Sequence, residues 1–250
     1  MNIKLYNEDC IETMKRIPDE SIDLMLTDIP YGTTACEWDL LPNLAEMWLE
    51  WERILKPNGV WLFTATMPMT IDIISPRKGF FKSHLVWDKV QKTGHLNAKK
   101  KPLLRHEDII IMSRAKFGSI TYNPQMRKGR YRDKSPKRST DNVEGRAYGL
   151  VKNQKSNFND DYYPSSIIEM SNASQNGFHP TQKPVDLFRY LIRTYSNEGE
   201  TVYDGYSGSG TTAIACIKEK RNFIGAEMNK EYFDKSILRI EQAKSQLVLF

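Results

Sequence analysis

A chain of 250 residues, 40% apolar and 27% charged with a formal net charge of +5, has the balance of a soluble globular protein that buries one substantial core and has room for a small insertion. No stretch approaches roughly 18 uninterrupted apolar residues, and Met1 to Leu5 lead straight into a strand-like segment. This argues against a membrane span or a signal peptide and for a cytoplasmic protein. Cys10, Cys36 and Cys216 are far apart and odd in number, so they are expected to be reduced and packed; His84, His95, His106 and His179 show no metal-ligand spacing, and no metal is expected.

Apolar runs near 2–6, 22–27, 60–65, 80–88, 107–112, 200–204 and 222–227 predict strands that alternate with helices, the pattern of a mainly parallel α/β sheet. The second run, Ser21 to Thr27, ends in Asp28-Ile29-Pro30-Tyr31. A carboxylate, a proline and an aromatic ring thus follow a buried strand, where open α/β sheets place ligands, although a strand with a proline turn is the better explanation of the tetrapeptide taken in isolation. Leu44, Met47, Trp48, Trp51, Ile54 and Leu55 keep helical spacing until Pro57-Asn58-Gly59 stops it, and the two tryptophans belong to the core rather than to a stacking surface.

After Ser113 the character changes. Residues 114–155 hold twelve Lys or Arg against three acids, so the rest of the chain is net negative and the positive charge is concentrated in one insert. Such a stretch is either a solvated loop or a phosphate-binding surface; Lys99, Lys100, Lys101 and Arg105 form a second basic loop. His179-Pro180-Thr181-Gln182-Lys183-Pro184 then leads into the apolar helix face of Val185, Leu187, Phe188, Leu191 and Ile192. Tyr203-Asp204-Gly205-Tyr206-Ser207-Gly208-Ser209-Gly210-Thr211-Thr212 reads as strand, glycine turn and helix. Thr211 stands where a triphosphate-binding loop needs lysine, so a triphosphate is not expected; a nucleotide-like ligand and a plain tight turn both remain. The next strand ends in Glu227, nineteen residues after Gly208, the place of a ribose-binding carboxylate. A last helix is predicted over 229–246.

With these segments in this order, the chain resembles the amino-group (N6-adenine or N4-cytosine) DNA methyltransferases, in the permuted, beta-type class whose catalytic motif precedes its cofactor motif. The family's Asp-Pro-Pro-Tyr is matched by Asp28-Ile29-Pro30-Tyr31, its His-Pro-Thr-Gln-Lys-Pro by His179 to Pro184, and its Asp-Pro-Phe-x-Gly-Ser-Gly-Thr-Thr by Asp204 to Thr212. Asn7-Glu8-Asp9-Cys10 is similar to its amino-terminal cofactor contact, and His106-Glu107 with Asp108 to Ile111 to a later core strand. Two positions depart from the family: Ile29 and Gly205 stand where it has proline, which alters backbone stiffness but removes no reactive side chain.

The resemblance implies a Rossmann-like, S-adenosylmethionine-dependent methyltransferase sheet. It divides the chain into a discontinuous catalytic and cofactor-binding domain, 1–113 with 179–250, and a basic target-recognition insert at 114–178. It implies a target base flipped out of double-stranded DNA, with its amino group held by the Asp28 carboxylate and the Ile29 carbonyl, Tyr31 stacked on it and Pro30 fixing that ring. Asp204 and the segment Tyr206, Ser207, Gly208, Ser209, Gly210, Thr211 would surround the amino-acid part of S-adenosylmethionine. Glu227 would hold its ribose, Asp9 and Cys10 its adenine, and Thr181 and Lys183 its carboxylate. Arg127, Lys128, Arg130, Arg132, Lys137 and Arg138 would meet DNA phosphates. Aspartate at position 28 points to adenine N6, with cytosine N4 as the close alternative. The family also implies a restriction-modification setting with a companion nuclease, and pairing into homodimers. Two other classes stay open: a DNA-binding relative with weakened turnover, suggested by Ile29 and Gly205, and a nicotinamide-dependent oxidoreductase, which leaves Asp28 to Tyr31 and the basic insert without a role.

Overall fold

The computed structural model describes residues 1–30, 41–130, 160–172 and 182–248. Its main sheet contains β1 (Ile3–Tyr6), β2 (Ile22–Asp28), β3 (Leu55–Ala65), β4 (Phe81–Thr93), β5 (Leu104–Met112), β8 (Ile167–Glu169), β9 (Thr201–Asp204) and β10 (Asn222–Ala226). The spatial order is β1-β10-β9-β2-β3-β5-β4-β8. Only β5 runs against its neighbours, pairing antiparallel with both β3 and β4, while the other pairs are parallel. Parallel strands cannot be joined by tight turns, so helices cross over and cover both faces.

Period-two alternation divides the side chains between those faces. Leu24, Leu26, Val60, Leu62, Ile109 and Ile111 pack beneath α4 (Val185–Tyr195), α5 (Thr211–Lys218) and α6 (Lys230–Val248). Met25, Trp61, Phe63, Ile110 and Met112 face α1 (Cys10–Lys15), α2 (Leu44–Ile54) and α3 (Met69–Ile74). Trp48 and Trp51 are buried in this second layer, as expected. Their edge-on or tilted contacts with each other, Trp61 and Phe63 have ring centroids 5.1–5.9 Å apart, a geometry worth about 0.5–1.5 kcal/mol per pair beyond area burial. Helix α2 ends at Ile54, before Pro57, and β3 begins at once with Leu55.

The chain divides into two compact units, Met1–Asn123 with Ser165–Phe250, and Pro124–Pro164. The second unit is narrower than the insert drawn over 114–178. Ile167–Glu169 pairs with Val86–Asp88 in the main sheet, and Asn123 donates its backbone N–H to the Thr194 carbonyl at the end of α4. Within the smaller unit, β6 (Arg127–Lys128) pairs antiparallel with β7 (Asp161–Tyr162). The Tyr162 hydroxyl donates to the Arg130 carbonyl at 2.7 Å.

Candidate functional site

The sheet order reverses between β9 and β2. From β9 the chain continues outward to β10, and from β2 it continues the other way to β3, so the crevice at the carboxyl ends of these strands is a topological switch point. Asp28 closes β2 and Asp204 closes β9. The sequence motifs at the strand ends are therefore brought together by strand order, and Thr27 ties them directly by donating its hydroxyl to Asp204 at 3.1 Å.

Asp204 is 2% exposed. It accepts hydrogen bonds from the Thr27 hydroxyl, the Thr212 hydroxyl at 2.5 Å and the Tyr206 amide at 3.0 Å. Burial pushes its carboxyl up to about 6, and these donors oppose but do not cancel that rise. The glycine loop turns here because Gly208 and Gly210 have φ of 51° and 79°, a region costly for residues with a Cβ. Helix α6 braces the loop: Ser236 donates to the Gly208 carbonyl at 2.7 Å and Arg239 to Ser209 Oγ at 2.8 Å. A Cβ on Gly210 would lie 3.1 Å from that of Ser236. Thr211 at the start of α5 donates a long hydrogen bond, 3.5 Å, to the Lys183 carbonyl.

Glu227 accepts the Gly208 and Asn229 amides, each at 2.8 Å, one on each carboxylate oxygen. Each oxygen keeps a further lone pair for a ligand hydroxyl. Burial raises this carboxyl above its ordinary value against those two bonds. Asp9 caps α1 by accepting the Ile11 amide at 2.8 Å, and Asn7 donates to the Glu227 and Met228 carbonyls. Cys10 is buried, its thiol pushed up to about 11 by burial, and its carbonyl accepts the Tyr203 hydroxyl. Gly205 fits the space that these two residues leave: a Cβ there would lie 3.1 Å from both Cys10 Cβ and the Tyr203 hydroxyl.

Asp28 is bound differently. Its Oδ1 accepts a short hydrogen bond from the Thr64 hydroxyl on the adjacent β3, and its Oδ2 meets Lys183 Nζ at 2.5 Å. Lys183 is itself buried and reaches Glu107 on β5 at 3.4 Å. Burial alone would lower its pKa, but Asp28 and Glu107 outweigh that and hold it above the ordinary lysine value, so the ammonium is charged. Lys183 was expected at a cofactor carboxylate and is found on Asp28. Ile29 packs fully buried among the α1–α3 side chains, which supplies an apolar anchor where the family has proline. Tyr31, Thr181, Arg132, Lys137 and Arg138 lie outside the described residues.

Thr27, Thr64, Glu107, Ser236 and Arg239 were not singled out as site residues. Ser236 and Arg239, three apart on the final helix, are legible only as polar interruptions of an apolar face. Thr64 and Glu107 become neighbours of Asp28 and Lys183 only through the register of β2, β3 and β5.

Comparison with known proteins agrees with this architecture. A family model described as DNA methylase matches residues 22–238. The DNA adenine methyltransferase YhdJ of Escherichia coli (strain K12) is 30% identical over 255 residues, covering 96% of this chain and 83% of YhdJ. The PvuII DNA methyltransferase, described as cytosine-N4-specific, superposes with a TM-score of 0.65 at 19% identity, covering 99% of this chain and 93% of that one. M1.HpyAVI, solved as a complex with SAM, gives 0.62 at 24% identity, covering 95% and 99%. Sharing their fold, the family's matched span and the motif order at the switch point, this chain belongs to the DNA methylase family.

Proposed function

We propose that this chain transfers a methyl group from S-adenosylmethionine to the exocyclic N6 of an adenine flipped out of double-stranded DNA. The observation that carries this function is Asp28 at the switch point, coupled through Thr27 to the glycine loop. The residues fit the cofactor. Ser207 Oγ in the loop is buried without a hydrogen-bond partner, each Glu227 oxygen has a second lone pair beyond the amide it accepts, and Asp204 is a buried carboxylate suited to a ligand amino group. Asp9 and Cys10 would border the adenine, and the backbone from Tyr206 to Thr211 the amino-acid part. S-adenosylmethionine, when bound, supplies an electrophilic methyl on its sulfonium.

The chain's own task is to present a poor nucleophile. An exocyclic amino nitrogen shares its lone pair with the ring. Asp28 accepts a hydrogen bond from one amino proton, and the Ile29 carbonyl accepts the other, which localises the lone pair and orients it. The Asp28 charge also stabilises the positive charge that develops on nitrogen as the methyl leaves the sulfonium, and the methylated nitrogen then gives up its surplus proton to water. No cysteine nucleophile is needed, and the Cys10 thiol stays protonated at neutral pH.

Adenine is preferred because aspartate heads the catalytic motif and because YhdJ, the 30% identical relative, is named as an adenine methyltransferase. Contacts to DNA phosphates are assigned to the basic insert, with Arg127, Lys128 and Arg130 in its described part. The end of β4 and the β4–β5 connection add Lys92, Lys99, Lys100 and Lys101, all exposed, in a stretch from 89 to 106 that contains no acidic residue. Incubation with unmethylated DNA and methyl-labelled S-adenosylmethionine should yield labelled N6-methyl-2′-deoxyadenosine on nucleoside analysis. Labelled N4-methylcytosine would overturn the base choice. Cofactor binding without transfer would leave a DNA-binding relative.

A further inference from the structure

Four charged side chains at the carboxyl edge of the sheet form a chain of alternating sign. Asp28 Oδ2 lies 2.5 Å from Lys183 Nζ, Lys183 lies 3.4 Å from Glu107 Oε2, and Glu107 Oε1 lies 3.1 Å from Lys89 Nζ. Lys183 and Lys89 are 8% and 6% exposed and Glu107 13%, whereas Asp28 at 24% is the member that opens toward solvent. The charges sum to zero, which is what makes the burial of two ammonium groups tolerable. One feature of this neutral set stands out chemically: Glu107 Oε2 is buried and makes no hydrogen bond. A buried carboxylate oxygen without a donor is costly and rare in a folded protein. Its nearest donor is the same ammonium that Asp28 holds at the shorter distance.

Lys183 thus stands between two carboxylates, one engaged and one in reserve. In the proposed reaction Asp28 must stabilise positive charge developing on the target nitrogen, and an ammonium ion-paired to Asp28 works against that. Moving the ammonium toward Glu107 restores the charge of Asp28 to the substrate and gives Oε2 its missing donor. We propose that Glu107 is a positioning residue for methyl transfer, receiving the Lys183 ammonium as Asp28 engages the target amino group. No proton or covalent bond is exchanged; one ionic contact lengthens as another shortens. Lys89, 3.1 Å from the other oxygen, keeps the Glu107 carboxylate aimed. Because Glu107 acts through Lys183, its importance depends on that lysine being present.

This inference rests on the proposed methyl transfer, and two measurements separate the two claims. The first is single-turnover transfer at saturating DNA and S-adenosylmethionine. Glu107→Gln should slow the step by on the order of tenfold while DNA and cofactor affinities stay within about twofold. Glu107→Asp, which keeps the charge, should recover part of the loss. In a Lys183→Met background the same Glu107→Gln change should cost nothing further. An equal loss in both backgrounds, or an unchanged rate in Glu107→Gln, would overturn the proposal. The second measurement needs no turnover. In protein labelled with ¹⁵N-lysine, the Lys183 ammonium resonance, assigned with Lys183→Met, should shift when a duplex selected from a random pool by binding is added. The shift should vanish in Glu107→Gln, where the second carboxylate is gone. A resonance that ignores DNA in the unaltered protein would overturn the exchange even if transfer is normal. Failure of the unaltered protein to methylate any DNA would instead overturn the proposed function.

Discussion

Asp28 and Asp204 end neighbouring strands of one sheet, yet the protein treats their charges in opposite ways. Asp204, at the glycine loop, is 2% exposed and held by two hydroxyls and a backbone amide. Asp28, one strand over, is partly open and held by a hydroxyl and an ammonium. Hydrogen bonds from neighbouring hydroxyls and backbone fix a group in one geometry, because those donors cannot leave without unfolding the loop. An ammonium on a four-carbon stem can move from one carboxylate to another at small cost. The glycine loop is accordingly built as a fixed cradle, braced by Ser236 and Arg239, and the end of β2 as a site whose partners can change.

Removing Asp28 should break this comparison most severely. Asp28→Ala deletes the acceptor proposed to operate in the transition state, so methyl transfer should fall by at least about 10²-fold, while calorimetry should find S-adenosylmethionine binding nearly intact. Near-normal turnover would sink the assigned chemistry.

The pH dependence of stability tests the other carboxylate. Asp204 titrates at about 6 in the folded protein against 3.8 for an ordinary aspartate. As pH rises from about 4 to about 6 the unfolded chain gives up this proton first, so folded-state stability declines across that window and the cost is fully present above it. Relative to the parent, Asp204→Asn should therefore gain on the order of 2–3 kcal/mol between those limits, whatever its offset at low pH. Denaturant titrations at several pH values would measure this; a difference that stays flat with pH would show that Asp204 carries no such penalty.

A smaller effect is expected at the turn. Gly208→Val places a branched side chain at φ 51°, a strain of about 1–2 kcal/mol, and should weaken S-adenosylmethionine binding about tenfold while sparing DNA affinity. Unchanged cofactor affinity would put the cofactor elsewhere.

The smallest effect separates a committed cation from others in the basic insert. Lys128 is held by Asp160 and Asp161, each at 2.8 Å. Arg127→Ala and Arg130→Ala should each flatten the salt dependence of DNA binding by about 0.9 in slope, and Lys128→Ala by less, because its charge is already balanced. Equal slopes in all three variants and the parent would mean that DNA lies against another surface.

Much of the fold was legible in the sequence because its signals are local. All seven strand runs recur at their expected places, and so do α2, α4 and the final helix, since a buried parallel strand needs a continuous apolar run and a covering helix needs an apolar stripe. The glycine loop and the Asp28 segment were legible for the same reason: special backbone geometry and strand-end carboxylates leave a mark on a few consecutive residues. Strand order leaves no such mark. That β9 lies beside β2 places Thr27 on Asp204, and that β5 runs antiparallel beside β3 and β4 brings Glu107 and Lys89 toward Lys183. These contacts join residues from 18 to 177 positions apart, and their chemistry is set by a distance of an ångström or less between competing partners. The sequence by itself determined which groups could do chemistry and at which strand ends they stand; only the tertiary structure decided which carboxylate holds the ammonium, because that choice depends on burial and register rather than on neighbours along the chain.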